Sequence, residues 1–240
     1  MSDAWMPTIE LRMTIAEFRR LPRNAAYRYE YLEGKAYLSP RPRHYHALLD
    51  LNELPTPAAE WDIRLLQEEE IPELVPLFAA AFAHIQPYGS LDGDTRQEAA
   101  RQALERARSG GDGPWVRPAS FVARQGEDFI GAIMITLLPD TDPCNWDSYR
   151  WPEPPPADCI ERGLGRPHLT WIFVSPWEAG KGLGTALLAA AGQALRQLGY
   201  RELLSTFMLG NDSSMLWHWR NGFRLLTYPG SVRRLLEPGS

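Results

Sequence analysis

The chain has 240 residues, 44% of them hydrophobic and 23% charged, with a formal net charge of -5. That size holds one large domain or a domain with an extension, and the acidic balance argues against a broad phosphate-backbone interface. No run of about 18 apolar residues offers a membrane span, and no basic start followed by an apolar stretch marks a secretory signal, so the expectation is a cytoplasmic protein engaging neither nucleic acid nor membrane.

The first 56 residues read as an N-terminal extension. Thr14-x-x-Glu17 is a capping-box pattern opening a short helix that stops near Pro22. Residues 27–33 and 36–39, joined at Gly34-Lys35, suggest a hairpin. The segment 54–58, with two prolines, looks like a linker. His44-Tyr-His46 lacks further ligands at metal spacing, so no metal site is expected.

Residues 57–240 carry the pattern of a mixed α/β domain: a central sheet with flanking helices. A strand is expected over 61–66, and a helix over 71–84 with Pro72 in its first turn. A second helix spans 94–109, opened by Thr95-x-x-Glu98 and closed by Gly110-Gly111. Strands over 120–124 and 129–138 flank a turn at 125–128. Residues 139–166 form a long irregular insert rich in proline, a length more typical of functional loops. The two cysteines, Cys144 and Cys159, lie in this stretch and read as free thiols. A strand over 168–174 leads to a helix over 181–198, whose residues Leu183, Leu187, Ala191 and Leu195 share one face. A strand over 203–208, a short helix over 213–221 and two closing strands around Pro229-Gly230 complete the chain.

The most informative stretch is the strand ending at Val174, followed by Pro176 and Ala179-Gly180-Lys181-Gly182-Leu183-Gly184-Thr185 opening directly into a helix. A helix N-terminus presents unpaired N–H groups and a partial positive charge, which favour an anion. Glycines there let the backbone turn tightly beside a diphosphate. A nucleotide P-loop is excluded because Lys181 stands between glycines with no Ser or Thr after it. A dinucleotide fold is excluded because the loop comes late, after antiparallel-looking strands, with no suitable acidic residue beyond.

These residues resemble the cofactor motif of the GNAT N-acetyltransferase superfamily, Arg/Gln-x-x-Gly-x-Gly/Ala after a strand ending in Val-x-Pro. The downstream run from Asn211 through His218 to Gly222-Phe223 is similar to the family's Asn-x-x-Ala-x-x-x-Tyr-x-Lys-x-Gly-Phe. Two positions depart from the pattern: Ala179 replaces Arg/Gln, and His218 replaces Tyr. The resemblance spans about residues 60–236 and implies a GNAT-like acyl-coenzyme A N-acyltransferase fold. It implies transfer of an acetyl group from acetyl-coenzyme A, without a metal, to a primary amine on a small molecule or peptide. A catalytically silent acyl-coenzyme A-binding regulatory module is the alternative, and a homodimer is an open option.

By the same resemblance, the cofactor would lie where two parallel strands ending near Val174 and Met208 splay apart. Backbone groups of Phe173 and Val174 would meet the pantetheine arm, while Ala179, Gly180, Lys181, Gly182, Gly184 and Thr185 would meet the diphosphate. Asn211 reads as an N-cap, to which the resemblance adds cofactor contact. His218 would be the general acid, and His168 either a base or a strand-edge residue sharing a face with Thr170 and Ile172. Tyr88 and Asp92 fall where the family recognises its acceptor, and Trp146, Tyr149 and Trp151 read as acceptor-pocket or loop-packing residues. The segment from Tyr29 to His44 is faintly similar to the opening of the Uma-type restriction-endonuclease-like family. The remaining acidic and Lys nuclease positions have no room before residue 60, so the segment is expected to be a remnant or packing arm.

Overall fold

The computed structural model describes residues 8–23, 27–40, 44–143, 149–208 and 211–226. Strands β2 (Tyr27–Leu32) and β3 (Lys35–Pro40) form the expected hairpin, and β1 (Ile9–Arg12), too short to stand out in the sequence, pairs with the other side of β3. Between β1 and β2 runs α1 (Ile15–Arg20), where Thr14 caps the Glu17 N–H and the Glu17 carboxylate accepts from the Thr14 N–H at 2.7 Å.

The main sheet holds seven strands in the order β10-β4-β9-β8-β7-β6-β5. These are β4 (His44–Asp50), β5 (Asp62–Leu65), β6 (Phe121–Gln125), β7 (Asp128–Leu138), β8 (Arg166–Val174), β9 (Glu202–Met208) and β10 (Arg224–Leu225). Every neighbouring pair is antiparallel except β8 and β9. Strand β4 falls inside the range expected to be an extension, yet all seven of its residues pair with β9. Its Ala47 and Leu49 are fully buried, and two histidines at alternate positions hide this period-2 pattern in the sequence. The main sheet therefore begins at His44, ahead of the linker.

Helices α2 (Val75–Ala81) and α3 (Gly93–Arg108) cover one face of the sheet. The expected long first helix is divided: residues Glu68–Leu74 wind as a tighter 3-10 turn containing Pro72, and Pro76 occupies the opening of α2. The cap of α3 is Asp92, whose carboxylate accepts from the Thr95 N–H at 2.8 Å, rather than Thr95 itself.

Helices α4 (Leu183–Gln197) and α5 (Asp212–Arg220) pack on the opposite face. Leu183, Leu187, Ala191 and Leu195 are all fully buried, as their spacing predicts. The helix can approach β7 closely because residue 131 is Gly: a Cβ there would stand 3.1 Å from Leu183 and Leu187. The insert seats buried Cys159, with Ile160 and Leu164, against this core, and Cys159 is a free thiol. Cys144, Trp146 and the expected turn at Pro229-Gly230 lie outside the described residues.

Candidate functional site

Parallel strands β8 and β9 pair at only two positions, His168↔Leu204 and Leu169↔Ser205, while β8 continues to Val174 and β9 to Met208. This leaves a fork. A β-bulge at its apex advances the register with β7 from Ile135↔Leu169 to Met134↔Trp171, leaving Thr170 unpaired. The extra residue reverses the alternation beyond it. Ile172 and Val174 consequently pack toward α4, whereas Trp171 and Phe173 face α2. The expectation that Ile172 shares a face with His168 fails for this reason.

The bulge also decides which backbone groups open into the fork. Ser175 donates its N–H to Ile130 O at 2.7 Å, and antiparallel pairs alternate between bonded and non-bonded. Phe173 therefore exchanges its bonds with Ala132, and the N–H and C=O groups of Ile172 and Val174 turn away from β7 into the fork. Of the expected pair Phe173 and Val174, only Val174 opens its backbone groups into the fork, together with Ile172, because those of Phe173 are turned to β7. The Phe173 side chain is 4% exposed, edge-on to Phe78 with ring centroids 5.1 Å apart.

Beyond β8, a 3-10 turn (Pro176–Glu178) leads to Ala179 in extended conformation. Gly180 and Gly182 then adopt φ of +79° and +91°. Nothing lies within 4 Å of a Cβ at either position, so the glycines are required by the left-handed backbone and not by crowding. Gly182 caps α4 without a side-chain bond, and the first intrahelical bond runs from the Ala186 N–H to Gly182 O. The N–H groups of Leu183, Gly184 and Thr185 thus precede the helical ladder. Lys181 pairs with Glu178 at 3.1 Å from an exposed position. Gly184 admits Trp217, whose indole nitrogen would lie 3.0 Å from a Cβ there. Thr185 donates its hydroxyl to Asn221 at 2.8 Å, so this side chain ties α4 to the end of α5. Asn211 caps α5 by accepting from the Ser214 N–H at 3.1 Å.

His218 does not stand as a poised acid. It is 3% exposed, Nε2 lies 2.7 Å from Ser205 Oγ, and Nδ1 lies 2.7 Å from the carbonyl of Ser214. Burial pushes its pKa down to about 4, so the ring is neutral near pH 7. A neutral ring donating from Nδ1 to a carbonyl accepts at Nε2, and so has no second proton for a leaving thiolate.

His168, half-buried at the apex on the opposite face, lies within 3.1 Å of Thr170 Oγ1 through Nδ1 and 3.0 Å of Thr206 Oγ1 through Nε2. Thr206 is also 3.0 Å from Nδ1 of His46 on β4, a residue the sequence reading weighed only as a metal ligand. Burial lowers His46 to about 4 and His168 to about 3. Tyr88 is 5% exposed in an aromatic cluster with Phe78 and Phe82, and burial raises its pKa. Asp92 serves as the α3 cap. Trp151 donates its indole N–H to Leu137 O at 2.9 Å, a packing role, whereas the ring of Tyr149 stands edge-on to His46 at 4.8 Å. Among the described residues, no group of three or more His, Cys, Asp or Glu could hold a metal ion, and no helix is long and apolar enough to cross a membrane.

No curated protein matches the chain. Among solved structures, PaiA N-acetyltransferase of Thermoplasma acidophilum in complex with coenzyme A is 15% identical, the match covering 72% of this chain and 95% of that one with a TM-score of 0.48. A GNAT family acetyltransferase of Brucella melitensis in complex with acetyl-coenzyme A is 18% identical over 70% of this chain and 88% of that one, with a TM-score of 0.46. A functionally unknown conserved protein of Staphylococcus epidermidis is 14% identical over 76% of this chain, with a TM-score of 0.47. The match spans only 57% of that protein's length. The family model for the acetyltransferase (GNAT) family matches residues 85–223, more than half of the chain. The chain belongs to the GNAT acetyltransferase family, and its chemistry is acyl-coenzyme A-dependent acetyl transfer.

Proposed function

We propose that the chain transfers an acetyl group from acetyl-coenzyme A directly to a primary amine. The observation that carries this reading is the fork: β8 frees the backbone groups of Ile172 and Val174 immediately before a left-handed glycine loop and the uncapped start of α4. An N–H aimed into the fork polarises a thioester carbonyl, stabilising negative charge on oxygen as the amine attacks. The pantetheine arm pairs with Ile172 and Val174 as an added strand would. The diphosphate lies on the N–H groups of Leu183, Gly184 and Thr185, with Gly180 and Gly182 shaping the approach and Lys181 beside it. Asn211 stays primarily a cap.

Turnover of acetyl-coenzyme A with a panel of small amines, peptide N-termini and lysine peptides tests the reading. The expected result is one free coenzyme A thiol per acetylated amine, with no acyl-protein by mass spectrometry. Two observations favour a silent acyl-coenzyme A-binding module instead: Ala179 offers no side chain to the diphosphate, and His218 holds no spare proton. Tight coenzyme A binding with no acetylated amine would support that second reading.

A further inference from the structure

Asn221 closes α5 and is 4% exposed, and both ends of its amide are engaged. Nδ2 donates to the carbonyl of Trp217 at 2.7 Å, a group that also accepts the Asn221 N–H at 3.1 Å. A carbonyl only accepts, so the amide nitrogen belongs on that side and Oδ1 faces Thr185. Thr185 therefore donates its hydroxyl to Oδ1, at 2.8 Å. Its proton is committed inside the protein and is not offered to a phosphate oxygen.

This bond sits where α4 has little support of its own. Helix starts are commonly steadied by a side chain that accepts from the first N–H groups, and Gly182 has none. A side chain in that place would occupy the N–H groups an anion needs, so the turn has to be held from its flanks. Leu183 is fully buried beside Gly131, Gly184 lies against the Trp217 indole, and Thr185 is tied to Asn221. Two of these three holds come from α5, from residues about one helical turn apart. The frame is itself anchored: His218 bonds to Ser205 of β9 at 2.7 Å, and Phe223 is 4% exposed in the core.

We propose that Asn221 is a positioning residue for the cofactor: through Thr185 it fixes the first turn of α4 so that the N–H groups of Leu183, Gly184 and Thr185 are aimed at the diphosphate. This rests on the reading of the α4 start as the diphosphate site given above. A turn already set in its bound geometry loses less freedom when the ligand arrives. A neutral amide suits the place, because a carboxylate there would put negative charge beside a helix start that receives an anion. The effect is confined to the diphosphate end of the ligand, since the pantetheine arm meets Ile172 and Val174 on β8.

The full chain is titrated by calorimetry with coenzyme A and with pantetheine, which lacks the diphosphate. Wild type is expected to bind coenzyme A more tightly than pantetheine. Thr185→Val, of similar shape, is expected to weaken coenzyme A about tenfold, the scale of one hydrogen bond, and to leave pantetheine unchanged. Thr185→Ser is expected to restore coenzyme A affinity. Asn221→Leu is expected to show the same selective loss, and the double variant no more than either single one. Where Asn221→Leu does not fold, Asn221→Ala removes the same bond and takes its place. Wild-type coenzyme A affinity in Thr185→Val overturns the proposal. A loss in Thr185→Val that the Asn221 variant does not share also overturns it, because the hydroxyl would then touch the ligand itself. Equal losses for both ligands, or additive losses in the double variant, overturn it too. A wild-type chain that binds coenzyme A no more tightly than pantetheine overturns the diphosphate reading, and the role of Asn221 with it.

Discussion

Ser205 and His218 join β9 to α5 from the inside: the serine hydroxyl donates to Nε2 at 2.7 Å, beneath a ring stacked on Phe207 at 4.3 Å between centroids. The bond needs a neutral ring, and burial supplies one. His46 and His168 are held neutral in the same way. A histidine whose folded pKa lies below its unfolded value of about 6.5 binds more protons when unfolded, so stability rises with pH between the two values. The folded values here are about 4, 3 and 4 for His46, His168 and His218. Stability is therefore expected to be complete above about pH 6.5 and to fall as pH drops toward 4, each unit of difference contributing up to about 1.4 kcal/mol per histidine. Scanning calorimetry across that range checks it; a midpoint that does not move would remove the buried-neutral assignment.

Replacing His218 with Phe strands the Ser205 hydroxyl in an apolar site. The expected cost is about 1–3 kcal/mol of stability. Loss of a general acid would instead slow turnover by about 10²–10⁴-fold. A near-normal kcat with a lowered unfolding midpoint is the expected pair of results, and a large rate loss at unchanged stability would return His218 to the reaction.

Gly182 sits at φ +91° with open space around its missing Cβ. Gly182→Asp is therefore expected to act through backbone conformation and through negative charge at a helix start meant for an anion. Isothermal calorimetry should show acetyl-coenzyme A binding weakened at least tenfold, about 1.4 kcal/mol. Gly182→Ala, which keeps the conformational cost and omits the charge, should lose less. Equal losses would mean that the charge plays no part.

Ile172 and Phe173 are neighbours whose N–H groups point to opposite edges of β8. Proline removes the N–H, which a strand tolerates only where that group is not in the ladder. Ile172→Pro is expected to keep a cooperative unfolding transition and to lose acetyl-coenzyme A binding. Phe173→Pro breaks the bonding with Ala132 and should fail to fold stably. Circular dichroism melts with binding isotherms compare the two, and the reverse ranking would overturn the assignment of edges.

Much of this arrangement is legible in the sequence because it is local. The run from Val174 to Thr185 announces a strand, a left-handed turn and a helix start through residue type alone, and the α4 stripe follows from its spacing. What is hidden depends on partners far along the chain. The bulge at Thr170 is chosen by the match between β7 and β8, and nothing in the order of residues 168–174 reveals the reversal that exchanges Phe173 for Ile172. Tyr88 falls where the resemblance implies acceptor recognition, but its ring completes the cluster around Phe78. His44-Tyr-His46 carries no legible role, because Thr206, which His46 meets, lies on a strand that only the folded sheet brings alongside.

The position of β4 between β9 and β10 sets a timetable for the growing chain. His46 emerges 160 residues before Thr206, its partner across the ladder. At the usual pace of synthesis, about 5–20 residues per second, the strand waits roughly 10–30 s with its buried face exposed. Local contacts within β6, β7 and β8 form meanwhile, and the late, long-range closure onto β9 is the slow step that topology imposes. During that interval the unpaired edge of β4 is a template for neighbouring chains, so yield in the cell should depend on chaperone capacity more steeply than the stability of the finished protein suggests.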